Sequence, residues 1–178
     1  MNKLAIALSA ALSLGAAASA NAADATISFR GTIDATTCSV GVGGSDATGT
    51  TVTLRRASKT QIETGSDVSK ETPFTIVVGD DGNKCPGTTS ILNFETGLDS
   101  SGRIANDDAA TAKNVALAVV NSKGNVVDLR DPDILESTTL NDGVYTHALK
   151  ARYMRVDTTE EVTAGTFVGA VGVNIGFR

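Results

Sequence analysis

Gly165-Thr-Phe-Val-Gly-Ala-Val-Gly-Val-Asn-Ile-Gly-Phe-Arg178 is the stretch that decides the fold. Large apolar residues and small or polar residues alternate along it with a period of two, which is typical of a strand buried on one face. The predicted inward face carries Phe167, Gly169, Val171, Val173, Ile175 and Phe177. Because residues at a chain end fray unless they are tied down, the pattern predicts a final strand held within a sheet.

The start of the sequence has the features of a secretory signal peptide. Lys3 supplies a positive charge, an apolar run follows over residues 4–18, and Ala20-Asn21-Ala22 matches a small-residue cleavage site. We expect cleavage after Ala22, with cleavage after Ala20 as the alternative. Residues 1–22 are therefore predicted to be removed, and the mature chain to be exported as one domain.

Short strand patterns follow one another along the mature chain, separated by loops. They are predicted at residues 25–30, 50–54, 74–78, 90–95, 115–121, 125–129, 144–156 and 165–178. Ser122-Lys-Gly124 is predicted to be the turn of a hairpin, and one short helical turn fits within residues 55–71. Glycine-rich residues 41–49 and residues 130–144 are predicted loops. The sequence therefore predicts an all-β sandwich.

The two cysteines, Cys38 and Cys85, both lie in the exported part of the chain. In an oxidising compartment an even pair of cysteines predicts a disulfide. A metal site or a redox pair is a weaker interpretation, because the two thiols are far apart in sequence and the chain has one histidine.

Residues that carry chemistry are sparse. His147 shares a predicted strand face with Leu149, which favours a structural position over a catalytic one. Residues 80–83 and 106–108 are rich in oxygen ligands, but neither segment matches a calcium-binding loop. A net charge of −5 without a basic stripe disfavours nucleic acid as a partner. We therefore predict no enzymatic activity, no metal and no cofactor.

Several segments resemble the pilin subunits of chaperone–usher fimbriae of Gram-negative bacteria. Residues 26–40 resemble the family's opening, in which an alternating segment and a glycine precede a cysteine. Residues 72–78 resemble the segment that leads to the second cysteine, and residues 116–129 resemble the family's hairpin. The end is the most specific part, because Ala164-Gly165 followed by the penultimate aromatic Phe177 is similar to the family's β-zipper motif. Phe177 departs from the tyrosine usual in the family, and Ala25 stands where glycine is frequent.

The resemblance implies an incomplete immunoglobulin-like sandwich that lacks its last strand and carries one disulfide. It divides the mature chain into an N-terminal donor-strand extension, residues 23–30, and a pilin domain, residues 31–178. In such pilins a periplasmic chaperone lends a strand to the open groove, and in the fibre the next subunit's extension replaces it. We expect Ala25, Ile27 and Phe29 to be the donor residues. The groove and chaperone-binding strand is expected to comprise Gly165, Phe167, Val171, Val173, Ile175, Phe177 and Arg178.

The resemblance further implies a structural fimbrial subunit that supports cell adhesion. Its implied partners are related pilins, the periplasmic chaperone and the outer-membrane usher, and its location is the cell surface, reached through the periplasm. Shaft, adaptor and terminator subunits use the same groove, so the sequence leaves that choice open. The alternative is a self-sufficient secreted β-sandwich, such as a carbohydrate-binding module. For an isolated chain we expect residues 23–30 to be detached or folded back into their own groove.

Overall fold

The computed structural model describes residues 25–31, 38–44, 47–48, 50–65, 71–82, 84–131, 136–137, 140–141 and 143–178. The predicted signal peptide and cleavage sites, and residues 23–24, lie outside the described residues. No helix within these described ranges is both long and apolar enough to cross a bilayer.

Short strands form nearly all of the regular structure. In chain order they are β1 (Ala25–Gly31), β2 (Val40–Gly43), β3 (Ala47–Thr48), β4 (Thr51–Leu54), β5 (Thr72–Val78), β6 (Ser90–Thr96), β7 (Val115–Val120), β8 (Val126–Val127), β9 (Glu136–Ser137), β10 (Leu140–Asn141), β11 (Val144–Arg155) and β12 (Val168–Phe177). One helix, α1 (Lys59–Thr64), lies between β4 and β5. The predicted all-β sandwich with one disulfide is confirmed.

Two sheets face each other across one apolar core. The first sheet, sheet A, has the order β3-β4-β1-β12-β6-β9, and the second, sheet B, has the order β2-β5-β11-β7-β8 with β10 paired to β11. The largest fully buried side chains include Tyr145, Phe74, Ile27, Ile76 and Leu92, which come from both sheets. Burial of a large apolar side chain contributes about 1.5–3 kcal/mol, so the contact between the sheets dominates the stability of the fold.

The alternation in the sequence corresponds to the two faces of the long strands. In β11, Tyr145, His147, Leu149 and Ala151 are buried, whereas Ala148 and Lys150 are exposed. In β4, Val52 and Leu54 are buried and Thr53 is exposed. The predicted hairpin is β7 and β8, and Gly124 in its turn has the positive φ of 85° that favours glycine.

Two predicted loops contain strands. Residues 41–49 were expected to be a loop, but Val40–Gly43 pairs with β5 and Ala47–Thr48 pairs with β4. Residues 130–144 hold β9 and β10 in the same way. These strands are only two to four residues long and obtain their hydrogen bonds from a longer neighbour, so a local sequence pattern does not mark them.

The strands at the edges of both sheets are very short. β3 and β9 bound sheet A with two residues each, and β2 and β8 bound sheet B with four and two residues. A short edge strand offers few unpaired main-chain groups to another chain.

Helix α1 is capped at both ends by residues adjacent to it in the sequence. The Ser58 hydroxyl accepts a hydrogen bond from the Gln61 main-chain N–H at 3.3 Å, and the Gln61 side chain accepts from the Ser58 N–H at 2.8 Å. This reciprocal pair is a capping box. Gly65, at φ 64°, ends the helix in the left-handed conformation.

The disulfide between Cys38 and Cys85 joins the start of β2 to the loop before β6. It closes a loop with a sequence separation of 47. The chain-entropy model assigns such a cross-link a stabilisation of roughly 4 kcal/mol, because the unfolded chain loses conformational freedom.

Replacing both cysteines (Cys38→Ala with Cys85→Ala) is therefore expected to lower the free energy of unfolding by roughly 4 kcal/mol. Denaturant unfolding of the oxidised parent and of the double variant measures the difference. Reduction of the parent should reproduce the effect, and a loss below about 1 kcal/mol in both experiments would contradict it.

Candidate functional site

The first and last strands lie side by side and run in the same direction. β1 is parallel to β12, with Thr26 opposite Val168 and Gly31 opposite Val173. On its other side β1 is antiparallel to β4, with Ala25 opposite Leu54. Main-chain hydrogen bonds join Thr26 N–H to the Phe167 oxygen at 3.2 Å and Phe29 N–H to the Thr50 oxygen at 2.9 Å. The leading segment is therefore folded back into the chain's own sheet, beside the predicted groove strand.

The inward side chains of β1 are part of the core. Ile27 is fully buried and Phe29 is 7% exposed. The ring of Phe29 lies 5.4 Å from the ring of Phe74 on the opposite sheet, at a tilt of 36°. Thr26 and Ser28, on the other face of β1, are half-buried. β1 is thus held in the sheet by the burial of two apolar side chains and by main-chain hydrogen bonds along both of its edges.

The alternation of the last strand places its predicted inward residues in the core. Phe167, Gly169, Val171 and Val173 are buried, and Val168 and Ala170 between them are exposed. Ile175 and Phe177 are half-buried and pack against the same core. At Gly169 a Cβ atom would lie 2.9 Å from Ile104 Cγ2 and 3.0 Å from the Phe167 ring. A larger residue at this position would have to displace the Ile104 side chain and the Phe167 ring.

A set of polar contacts fixes the chain just before β12. The Asn106 side chain accepts from Val168 N–H at 2.9 Å and donates to the Ala112 oxygen at 2.8 Å. Thr166 N–H donates to Thr111 Oγ1 at 2.8 Å. At Gly165 a Cβ atom would lie 2.5 Å from Ala112 N, so only glycine allows this close passage. Steric hindrance therefore explains why glycine stands at position 165, which is predicted to be part of the groove strand.

The other end of β12 is attached to the loop that follows Cys85. The Arg178 main-chain oxygen accepts hydrogen bonds from Thr88 N–H at 2.7 Å and Thr89 N–H at 3.1 Å. The Phe177 ring lies 5.8 Å from the Tyr145 ring. Arg178, predicted to contact a chaperone, is thus bound by its own chain in this conformation.

A cavity of about 200 Å³ lies between the segment that follows β4 and the segment that precedes β12. Arg56 and Ala57, which follow β4, and Ala164 and Gly165, which precede β12, stand on its two sides. The rest of its lining is mostly apolar and comes from α1, β11 and neighbouring segments: Lys59, Ile62, Ala112, Val115, Tyr153, Val162 and Thr163. The cavity therefore adjoins the segment that leads into β12, and its lining does not include β12 itself.

His147 is a buried structural residue, as its position in the strand pattern predicts. It is 4% exposed, and its Nε2 lies 3.1 Å from the hydroxyl of Ser90, which is fully buried. Burial lowers the pKa of His147 from 6.5 to about 4. A serine without solvent access cannot meet a substrate, so this pair is not a hydrolytic site.

Metal-binding clusters are likewise absent from the described ranges: no group of three or more histidine, cysteine or acidic residues lies close enough to hold an ion. Both cysteines are used in the disulfide.

Sequence reasoning missed several residues that shape this region. Asn106, the Thr88–Thr89 main chain and the α1 side of the cavity carry no sequence pattern, because their roles depend on which segments meet in space. Gly87, directly after Cys85-Pro86, is the nearest to a signal, since glycine often marks a close backbone approach.

Known proteins resemble the chain in both sequence and fold. The family model described as "Fimbrial protein" matches residues 27–178. The major fimbrial subunit SMF-1 of Stenotrophomonas maltophilia (strain K279a) is 34% identical over 116 residues, which cover 62% of this chain and 64% of that protein. The match therefore spans somewhat less than two thirds of that relative.

Two solved structures share the fold. The P pilus rod subunit PapA is 21% identical with a TM-score of 0.52, over 83% of this chain and 96% of that chain. A subunit in the structure of a chaperone–usher pilus that addresses rod uncoiling is 22% identical with a TM-score of 0.53, over 85% and 93% of the two chains.

The depressed pKa of His147 predicts an acid-sensitive fold. Between pH 6.5 and about 4 the folded chain binds fewer protons at this residue than the unfolded chain, so the free energy of unfolding falls as pH is lowered. The full loss is on the order of 3 kcal/mol. His147→Gln keeps a partner for Ser90 but does not titrate, so its unfolding free energy should change less over this pH range. Parallel slopes for parent and variant in denaturant titrations at several pH values would refute the assignment.

Proposed function

The chain belongs to the fimbrial protein family, and from that premise we propose that it is a shaft subunit of a chaperone–usher fimbria which polymerises by donor-strand exchange. The observation that carries the proposal is the position of β1. A segment from the far end of the chain fills the space beside β12, and it does so with an alternating pair of apolar side chains, Ile27 and Phe29.

The direction in which β1 runs supports an exchange of this strand between subunits. β1 pairs with β12 over six residue pairs in parallel and with β4 over four in antiparallel sense. A strand with a period of two presents the same face when its direction is reversed. A reversed strand from a neighbour would therefore still direct Ile27 and Phe29 inward, and it would make the longer ladder antiparallel, which is the more stable pairing per residue. We propose that β1 of one subunit leaves its own sheet and occupies this place in the next.

The cavity beside Ala164 and Gly165 supports the same proposal. It lies next to the segment that leads into β12, and its lining is mostly apolar. An incoming strand can make its first contacts there before β1 has left. Pairing can then advance residue by residue, which avoids exposing the whole groove at once.

Donation from each subunit to the next is a heterologous contact that does not close on itself, so its product is a filament. In this proposal the partners of the chain are related pilins, a periplasmic chaperone that holds the β12 strand and Arg178 during transit, and an outer-membrane usher. The filament is a surface fimbrium that supports adhesion, and the subunit is structural and has no active site.

One observation favours a second candidate, a self-sufficient secreted binding module. β1 completes the chain's own sheet, so the described fold needs no foreign strand. The described surface lacks exposed aromatic rings, however, which are enriched at binding interfaces because they combine an apolar body with a polar end. All seven aromatic residues lie in the described ranges, and none of them is exposed. The family match also favours the fimbrial function.

The donor function predicts opposite results for the two faces of β1. Ile27→Asp with Phe29→Asp would place two charges in the apolar space beside β12, so this variant should not donate its strand. Thr26→Asp with Ser28→Asp adds the same charge to the same strand on its half-buried outer face and should still polymerise. Electron microscopy of surface fimbriae, with immunoblots of heat-resistant polymer, measures the result.

Co-expression of the Ile27/Phe29 variant with the parent distinguishes a subunit that cannot donate its strand from one that cannot fold. The Ile27/Phe29 variant keeps an intact groove and can accept a strand, so its co-expression with the parent should shorten fimbriae in proportion to its share. Fimbriae of normal length that contain the variant would rule out donor-strand exchange through these residues.

Expression of the chain alone in the periplasm distinguishes the two candidate functions. A subunit that depends on partners should give little monomer without its chaperone and markedly more with it. Abundant monomer without a chaperone, combined with no polymer when chaperone and usher are supplied, would favour the self-sufficient module.

A further inference from the structure

The loop between the second cysteine and β6, residues 85–89, surrounds the end of β12, and we call it the β12 clamp. Thr88 and Thr89 donate their main-chain N–H groups to the Arg178 oxygen at 2.7 and 3.1 Å, and Arg178 N–H donates to the Thr89 oxygen at 3.0 Å. The Thr88 hydroxyl lies 3.4 Å from the same Arg178 oxygen. One oxygen is therefore held by two successive main-chain donors.

Gly87 makes this arrangement possible. Its φ is +83°, and a Cβ atom at this position would lie 2.5 Å from the Arg178 oxygen and 3.2 Å from the Arg178 carbonyl carbon. Both obstructing atoms belong to the main chain, so a flexible side chain cannot move aside to relieve the contact. Any other residue at position 87 must push the clamp away from β12.

The clamp is itself fastened to the opposite sheet. Cys85 is linked to Cys38 by the disulfide and donates its N–H to the Gly143 oxygen at 2.9 Å. The Pro86 oxygen accepts a hydrogen bond from the Tyr145 hydroxyl at 2.9 Å. The end of β12 is therefore connected through the clamp to β11 and to the start of β2, in addition to its ladder with β6.

The hydrogen bonds of the clamp become more important for holding β12 when β1 leaves its position in the sheet. β12 then loses its parallel ladder from Val168 to Val173 and its contacts with Ile27 and Phe29. Its remaining ladder, with β6, is interrupted by a register shift between Gly172 and Val173. Among the described residues, β6, the contacts of Ile175 and Phe177, and the clamp then hold the segment beyond this shift.

We propose that the β12 clamp is a positioning device that keeps the acceptor strand in place while the groove is vacated, so that a new strand can enter without unfolding of the acceptor. Gly87 is its critical residue. This role rests on the proposed strand exchange, whereas the mechanical part, the anchoring of the end of β12, can be tested without it.

Hydrogen exchange in the full-length chain tests the anchoring. Gly87→Ala should make the amides of residues 174–178 exchange at least ten-fold faster, with little change in β5 and β11. Gly124→Ala is the matched control, because Gly124 has nearly the same φ, +85°, but no atom within 4 Å of its added Cβ. Equal protection of residues 174–178 in the two variants would overturn the proposal.

Strand capture tests the role in exchange. A synthetic peptide with the sequence of residues 23–31 is incubated with the full-length chain, and the peptide bound is measured over time. Gly87→Ala should capture it at least ten-fold more slowly than the parent. Ile76→Val, a conservative core change in β5, provides a control for reduced global stability and should capture it at nearly the parent rate.

Equal slowing in the Gly87 and Ile76 variants, compared at equal global stability, would mean that the clamp serves stability alone and would overturn its role in exchange. A parent chain that captures no peptide contradicts the proposed donor-strand exchange itself, and hydrogen exchange then decides on the anchoring by itself.

Discussion

The burial of Ile27 and Phe29 between the two sheets is the contact on which the rest of the structure depends. These side chains come from the leading segment, yet they complete the core at the centre of sheet A, between β4 and β12. Any strand that fills this place must offer apolar side chains at every second position. This requirement concerns the alternation of side chains along the strand and not the chain to which the strand belongs. The proposed exchange depends on this property, because in it an equivalent segment from another subunit replaces the chain's own.

In the proposed exchange, the neighbourhood of β12 stays fixed while its partner strand is replaced. Asn106 and the Thr111–Thr166 contacts hold the approach to the strand, and the β12 clamp holds its end. These contacts are main-chain or short polar hydrogen bonds that do not involve β1. By contrast, β1 is held by side-chain burial and by ladders that another strand can reproduce. The contacts that hold the two ends of β12 are therefore independent of β1, which the proposed exchange requires.

The sequence predicted the parts of this arrangement that depend on periodicity. The two faces of β12, the burial of His147, the hairpin with Gly124 and the disulfide all follow from patterns a few residues long or from cysteine count. The return of β1 beside β12 was one of two expectations for an isolated chain, because alternation fixes which face is buried but not the direction of a strand. The short strands β2, β3, β9 and β10 were missed, since edge strands of two to four residues depend on their neighbours. The β12 clamp was missed because a contact between the loop at Gly87 and Arg178 has no signature in local sequence.

The brevity of the edge strands has a consequence for a material made of many copies. In the proposed fibre, copies of the chain are stacked along a shaft, and each would present its sheet margins to adjacent shafts. β3, β8 and β9 offer only two residues apiece for lateral association through main-chain hydrogen bonds. In the proposed fibre, these short edge strands would limit main-chain pairing between neighbouring shafts.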